Sequence, residues 1–240
     1  MAEKTNMTKF SKIILLLTIT LSGLTSFGAS NVYDEDYYED EGRLLFKIRG
    51  HGIITNGKQK SLPAPTSPTP VSVGSLVKNG YGADTATTIF FNDNVAAELS
   101  LGVDVMGVKT TTISNIANNY QGTLSTGYKR KNLFMVPLTL TGQYHVAPFG
   151  AVRPYVGAGY HGAYIFSKIR EFKASNCHGF VAQVGVDFVA KDDTLINFDI
   201  KQFLRTTKIT YKGDITGGNS VTSKARLDPL VISIGIGFMF

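Results

Sequence analysis

At 240 residues the chain is long enough for one domain of ordinary size. Only 18% of it is charged and the formal net charge is +6, too weak and too dispersed for a nucleic-acid footprint. A single cysteine, Cys177, excludes an intrachain disulfide and offers no metal-ligand set.

The chain opens with a basic stretch, Lys4, Lys9 and Lys12. Ile13 to Leu24 follows as an apolar run broken only by Thr18, Thr20, Ser22 and Gly23. Ser26, Gly28 and Ala29 are small residues suited to cleavage. Residues 1–29 therefore read as a secretory signal peptide. The run is shorter than the roughly 20 apolar residues of a spanning helix; an uncleaved anchor is the alternative. Without this leader the chain keeps 21 basic and 17 acidic residues, a net of +4. Cys177 is far from the cleavage site, so it is not a lipid-attachment cysteine. Residues 30–43 are acidic, with Asp34, Glu35, Asp36, Glu39, Asp40 and Glu41, and have no hydrophobic period. A solvated periplasmic tail explains them more simply than a metal site.

From residue 44 onward eight segments carry a two-residue period, the mark of strands whose successive side chains face opposite ways. They are Leu44–Ile54, Tyr81–Phe91, Val95–Val105, Leu133–Val146, Ala151–Phe166, Cys177–Ala190, Thr194–Tyr211 and Arg226–Phe240. The second alternates least, through Thr85 to Thr88. The last is the most regular. Leu230, Ile232, Ile234, Ile236, Phe238 and Phe240 are large and apolar, and the residues between them are mostly small.

The connections alternate in length. Thr55–Gly80, with its Pro-rich Leu62–Pro70 run, and Val108–Arg130 are long; Ser167–Asn176 and Lys212–Ser223 are intermediate. Asn92–Asn94, Ala147–Gly150 and Lys191–Asp193 are short, with Asn, Asp, Pro and Gly suited to tight turns. Short periplasmic turns alternating with longer external loops are the pattern of an outer-membrane barrel. The fold expected is all-β: an eight-stranded antiparallel up-and-down transmembrane barrel over residues 44–240, with outer-membrane lipid as its solvent.

The outward residues carry no charge: Leu44, Phe46 and Ile48 in the first segment, Leu99, Leu101 and Val103 in the third, Ile196, Phe198 and Ile200 in the seventh. An Arg or Lys at mid-membrane would cost roughly 2–4 kcal/mol, so lipid demands this. Phe134 and Tyr144 share a face in the fourth segment. At about 3.3 Å per residue and a tilt of about 45° they stand roughly 23 Å apart, near the height of the apolar band between aromatic girdles.

The other face supplies a polar lumen. Its charge cluster is Lys47, Arg49, Glu98, Arg153, Asp187, Asp199 and Lys201, with His51 and Asp104 nearby. Eight strands leave room only for side chains or one small ligand. Two readings stay open: an ion-paired plug, or a polar constriction below a ligand cavity. Toward the loops His161, Ala163, Ile165 and Val181 make a less polar wall.

Two motifs mislead. Gly157, Gly159 and Gly162 match the dinucleotide spacing, but they lie inside a strand pattern with no helix after it. The four histidines sit among serines and carboxylates without a nucleophile elbow, so no catalytic residue is assigned. No cofactor or metal is expected.

From the fourth segment on the residues become specific. Pro137–His145, Arg153–Gly159, Gln183–Phe188, Arg226–Pro229 and the closing Gly235–Phe240 together resemble the outer membrane protein W (OmpW) family of Gram-negative bacteria. The resemblance implies an eight-stranded barrel in the outer membrane with a narrow channel or binding cavity for small hydrophobic molecules, and no enzyme. Some members of the family are bacteriocin receptors, which implies the alternative of a closed barrel that meets host, phage or bacteriocin through its loops. The terminal aromatics Phe238 and Phe240 resemble the signal read by the barrel-assembly machinery. The chain departs from the family in having no Trp, a short third external loop and a Pro-rich first one.

Overall fold

The computed structural model describes residues 44–56, 58–59, 61–62, 75–122, 132–147, 150–166, 171–191 and 193–240. The expected leader and acidic tail lie outside them. In chain order the elements are β1 (Leu44–Ile54), β2 (Lys58–Gln59), β3 (Val77–Phe90), β4 (Val95–Val108), α1 (Thr110–Asn119), β5 (Asn132–His145) and β6 (Val152–Phe166). Then come β7 (Phe172–Ala174), β8 (Cys177–Lys191), β9 (Thr194–Tyr211), β10 (Val221–Leu227) and β11 (Leu230–Met239).

Eight long strands pair antiparallel with their sequence neighbours. β11 closes the circle by pairing with both β9 and β1, from Leu230 opposite Gln202 and from Leu45 opposite Met239. A closed sheet leaves no unpaired edge, the condition for a sheet in lipid. Outside, Ile48, Leu99, Leu140, Val184, Ile200 and Ile234 are exposed; inside, Lys47, Glu98, Thr141, Gln183, Lys201 and Ser233 are buried. That inversion of soluble-protein logic follows from strand alternation with lipid on one side. Above Leu204 the outward face of β9 turns polar, and Lys208 stands opposite Lys224 of β10. The apolar belt ends there, while the wall continues through β2, β7 and β10.

The first periplasmic turn is built from the residues expected. Asn92 Oδ1 accepts the backbone N–H groups of Asn94 (3.0 Å) and Val95 (2.8 Å), an Asx turn. Asn94 then donates from Nδ2 to the His145 carbonyl at 2.7 Å and ties this turn to β5.

The structure departs from the sequence reading: β2, β7 and the start of β3 fall in connections read as loops, and two further differences shape the lumen. The eighth segment is not one strand, because Asp228 and Pro229 separate β10 from β11. Proline has no N–H for the ladder, and here its carbonyl accepts from the Phe203 N–H at 3.1 Å. The second long connection also contains a helix, α1, read from sequence as loop. Thr112, Ile113, Ile116 and Ala117 are its buried residues. The i, i+3, i+4 spacing of the last three makes one apolar face. A ten-residue helix is marginal alone. This one is fastened to β3's entry by Lys109 N–H to the Leu76 carbonyl (2.8 Å) and Thr112 Oγ1 to the Ser75 carbonyl (3.0 Å).

Candidate functional site

The lumen has two zones. The inner one centres on Glu98 of β4. Its carboxylate meets Lys47 Nζ at 2.7 Å, Lys201 Nζ at 3.0 Å and Arg49 Nη1 at 3.2 Å, and accepts from Thr88 Oγ1 at 3.3 Å. Three cations on one carboxylate need more anions. Asp84 supplies one through Arg49 Nε at 2.7 Å, and Asp199 another, 3.8 Å from Lys201. His51 bridges Asp104 (2.8 Å) and Asp84 (3.4 Å). Tyr155 donates to Asp199 at 2.9 Å, and Gln183 donates to Asp199 (2.6 Å) and Glu98 (3.3 Å). Low dielectric makes each unmade bond here costly; Lys47 Nζ and Asp199 Oδ1 are held by charge alone, and Arg49 Nη2 and His51 Nδ1 also make no hydrogen bond.

Small residues opposite make room for this. A Cβ at Gly235 would fall on the Arg49 side chain, and one at Gly185 on the Tyr155 ring. The small inward set of the last strand is thus the counterpart of the long basic residues of β1.

Of the expected cluster, Lys47, Arg49, Glu98, Lys201 and Asp199 come together. Asp187 joins through an amide, accepting from Asn197 Nδ2 at 2.6 Å. Arg153 does not join. It stands opposite Asp187 in the β6–β8 register, yet its Nε donates to the Gly150 carbonyl at 3.2 Å and its Nη1 lies 3.8 Å from Met239 Sδ. The guanidinium turns to the periplasmic rim, where it stays partly hydrated, rather than into the dry lumen. Arg153, expected in the lumen charge cluster, therefore stands apart from it. Asp84 was missed because the second segment alternates too poorly for its faces to be read.

The outer zone is apolar. Ile53, Met106, Met135, Ala163, Val181, Phe203, Leu227 and Val231 form one buried cluster with Ile113 and Ile116 of α1 and with Ile215, so the helix caps the barrel's external end. Ala163 and Val181 of the expected outer wall belong to this cluster, and Ile165 packs on it half-buried. His161 sits at its lower edge, its ring 4.5 Å from that of Phe203. Phe238 of the last strand and Phe240, just past its end, are exposed.

Between the zones lies a small cavity of about 30 Å³. Its lining is mixed: Asp84, Asp104, His51, Lys201 and Arg205 on the polar side, Phe203, Pro137, Pro229 and Val231 on the apolar side. It lies beside an interruption in the hydrogen-bond ladder of the wall. The β4–β5 ladder runs through Leu101 opposite Leu138 and resumes at Asp104 opposite Met135, skipping Gly102 and Val103 against Pro137 and Val136. The missing N–H of Pro137 is the physical cause. Among the described residues no group of three His, Cys, Asp or Glu is placed to hold a metal ion.

These features define an outer-membrane barrel of eight strands with a divided lumen. The chain belongs to the OmpW family, whose model matches residues 40–240. It is 48% identical over 238 residues to the Rickettsia conorii protein RC0105, named as an outer membrane protein, covering 95% of this chain and 98% of that one. A Rickettsia bellii protein named in the same way is 55% identical over 204 residues, 85% of this chain and 83% of its own length. Among solved structures, OprG from Pseudomonas aeruginosa superposes with a TM-score of 0.65 at 18% identity, over 83% of this chain and 96% of that one, a likeness of fold.

Proposed function

We propose that the barrel is a gated passage for small hydrophobic molecules across the outer membrane. The observation that carries this reading is the division of the lumen: apolar above, ion-paired below, with the wall interrupted at the boundary. An apolar solute gains by entering the outer zone beneath α1 and gains nothing by crossing buried ion pairs. Its favourable exit is sideways into the bilayer, at the break beside Pro137. The cavity is far smaller than the roughly 300 Å³ at which solute pockets begin, so the resting state is closed and passage requires α1 and its neighbours to give way.

Octane uptake into cells, with and without the protein, tests this. Protein-dependent uptake together with negligible ohmic conductance in planar bilayers is expected. A large, stable conductance would refute the plug. The packed outer zone and its helical cap favour a second reading, a closed barrel that binds partners through its external loops. Absence of protein-dependent octane uptake would select that one.

A further inference from the structure

We propose that Arg205 anchors the carboxylate of an amphipathic solute, so that the passage favours monocarboxylates with an apolar chain over neutral hydrocarbons. The inference rests on the passage reading and deepens it by naming the solute class.

Arg205 lies on β9 at the boundary of the two zones and is only 4% exposed. The other lumenal cations, Lys47, Arg49 and Lys201, each meet a carboxylate. Among the described residues none forms an ion pair with Arg205. Its Nη1 donates to His161 Nε2 at 3.0 Å, and its guanidinium carbon lies 5.7 Å from the Phe203 ring centre. Arginine has no acceptor, so His161 Nε2 must accept, and its Nδ1 then donates to Thr139 Oγ1 at 3.1 Å. The imidazole is thereby held neutral and brings no counter-charge. Arg205 Nε is buried with no hydrogen-bond partner.

A buried guanidinium with a spare donor and no anion is costly unless something charged arrives. The nearby carboxylates each pair with another cation. Asp84 serves Arg49 and His51, Asp104 serves His51, and Asp228 Oδ2 pairs with Arg226 at 2.6 Å, while Asp228 Oδ1 is buried without a hydrogen bond and forms no ion pair with Arg205. Arg205 lines the boundary cavity. At about 30 Å³ that space suits a headgroup rather than a whole solute. Phe203, Pro137 and Val231 beside it offer an apolar bed for the chain, directed at the break in the β4–β5 wall. A planar guanidinium matches a carboxylate geometrically as well as electrically.

Octanoate and 1-octanol share a chain and differ in the head, so they isolate the anchor. Binding is measured to the whole protein in lipid nanodiscs, with empty nanodiscs as control. Octanoate should bind wild type on the order of ten- to a hundred-fold tighter than 1-octanol, the usual worth of a charge-assisted hydrogen bond. Arg205→Gln should erase that preference, while Arg205→Lys should keep part of it. Equal binding of the two probes to wild type, or a preference that survives Arg205→Gln, would overturn the anchor. If Arg205→Gln does not assemble, the wild-type ratio and Arg205→Lys decide. Octane uptake separates the two ideas: protein-dependent uptake without octanoate preference sinks the anchor alone, and loss of both sinks the passage too.

Discussion

The inner and outer halves of this lumen are closed by opposite means. Below, Glu98 gathers Lys47, Arg49 and Lys201 into a directional network in which each member has few alternatives. Above, Met106, Met135, Phe203 and the face of α1 pack without directional bonds. Breaking a buried charge network leaves charges exposed to a low dielectric, whereas an apolar cluster can rearrange around an apolar guest. A barrel that holds ions back and lets greasy molecules in would be built this way round.

The largest expected effect comes from the hub. Glu98→Gln leaves three buried cations short of a counter-ion and should destabilise the barrel by about 3–5 kcal/mol, with raised leak conductance. The chain has no Trp, so unfolding is best followed by the mobility difference between unboiled and boiled samples. An unchanged midpoint and unchanged leak would mean that the network does not close the inner half.

Phe203→Ala comes next, at about 3 kcal/mol, the low end for a buried aromatic because the ring already borders a cavity. It should speed octane uptake without raising ion leak. A rise in ion leak equal to that of Glu98→Gln would erase the distinction between the halves.

Asp187→Asn should cost about 1 kcal/mol, since its partner is the Asn197 amide and an amide oxygen can still accept. Arg153→Ala should fall within about 0.5 kcal/mol, as for other rim positions without a buried partner. If Arg153→Ala proves as damaging as Glu98→Gln, the guanidinium turns inward in the membrane. The smallest effect on stability belongs to Phe240→Ala, an exposed residue past the end of β11. We propose that Phe238 and Phe240 are read during assembly. Phe240→Ala should therefore lower the amount in the outer membrane more than Val231→Ala does; equal accumulation of both with wild type would remove that role.

Much of the barrel was legible because strand alternation writes its faces directly into the chain. Lys47, Arg49, Glu98 and Lys201 could be assigned inward one by one from their apolar neighbours. Asp84 could not, since Thr85 to Thr88 alternate poorly and only the pairing of β3 with β1 and β4 fixes its direction. Helix α1 was hidden for a different reason. Its Thr- and Asn-rich sequence has weak intrinsic preference for helix, and the apolar cluster beneath it supplies the stability.

By itself the sequence determined the strand count, the lipid face, the sorting of loops and the family, because these depend on period, polarity and residue identity along one segment at a time. Which charge meets which was decided only by tertiary structure. Glu98 and Lys201 are 103 residues apart and meet across the lumen. Arg153 and Asp187 are register neighbours and find different partners. Closure and stagger of the barrel set those distances, and hydration at the rim decides which way a long side chain turns. The lack of an ion pair at Arg205 among the described residues and the unbridged ladder at Pro137 are likewise properties of neighbouring strands, which no single strand's sequence contains.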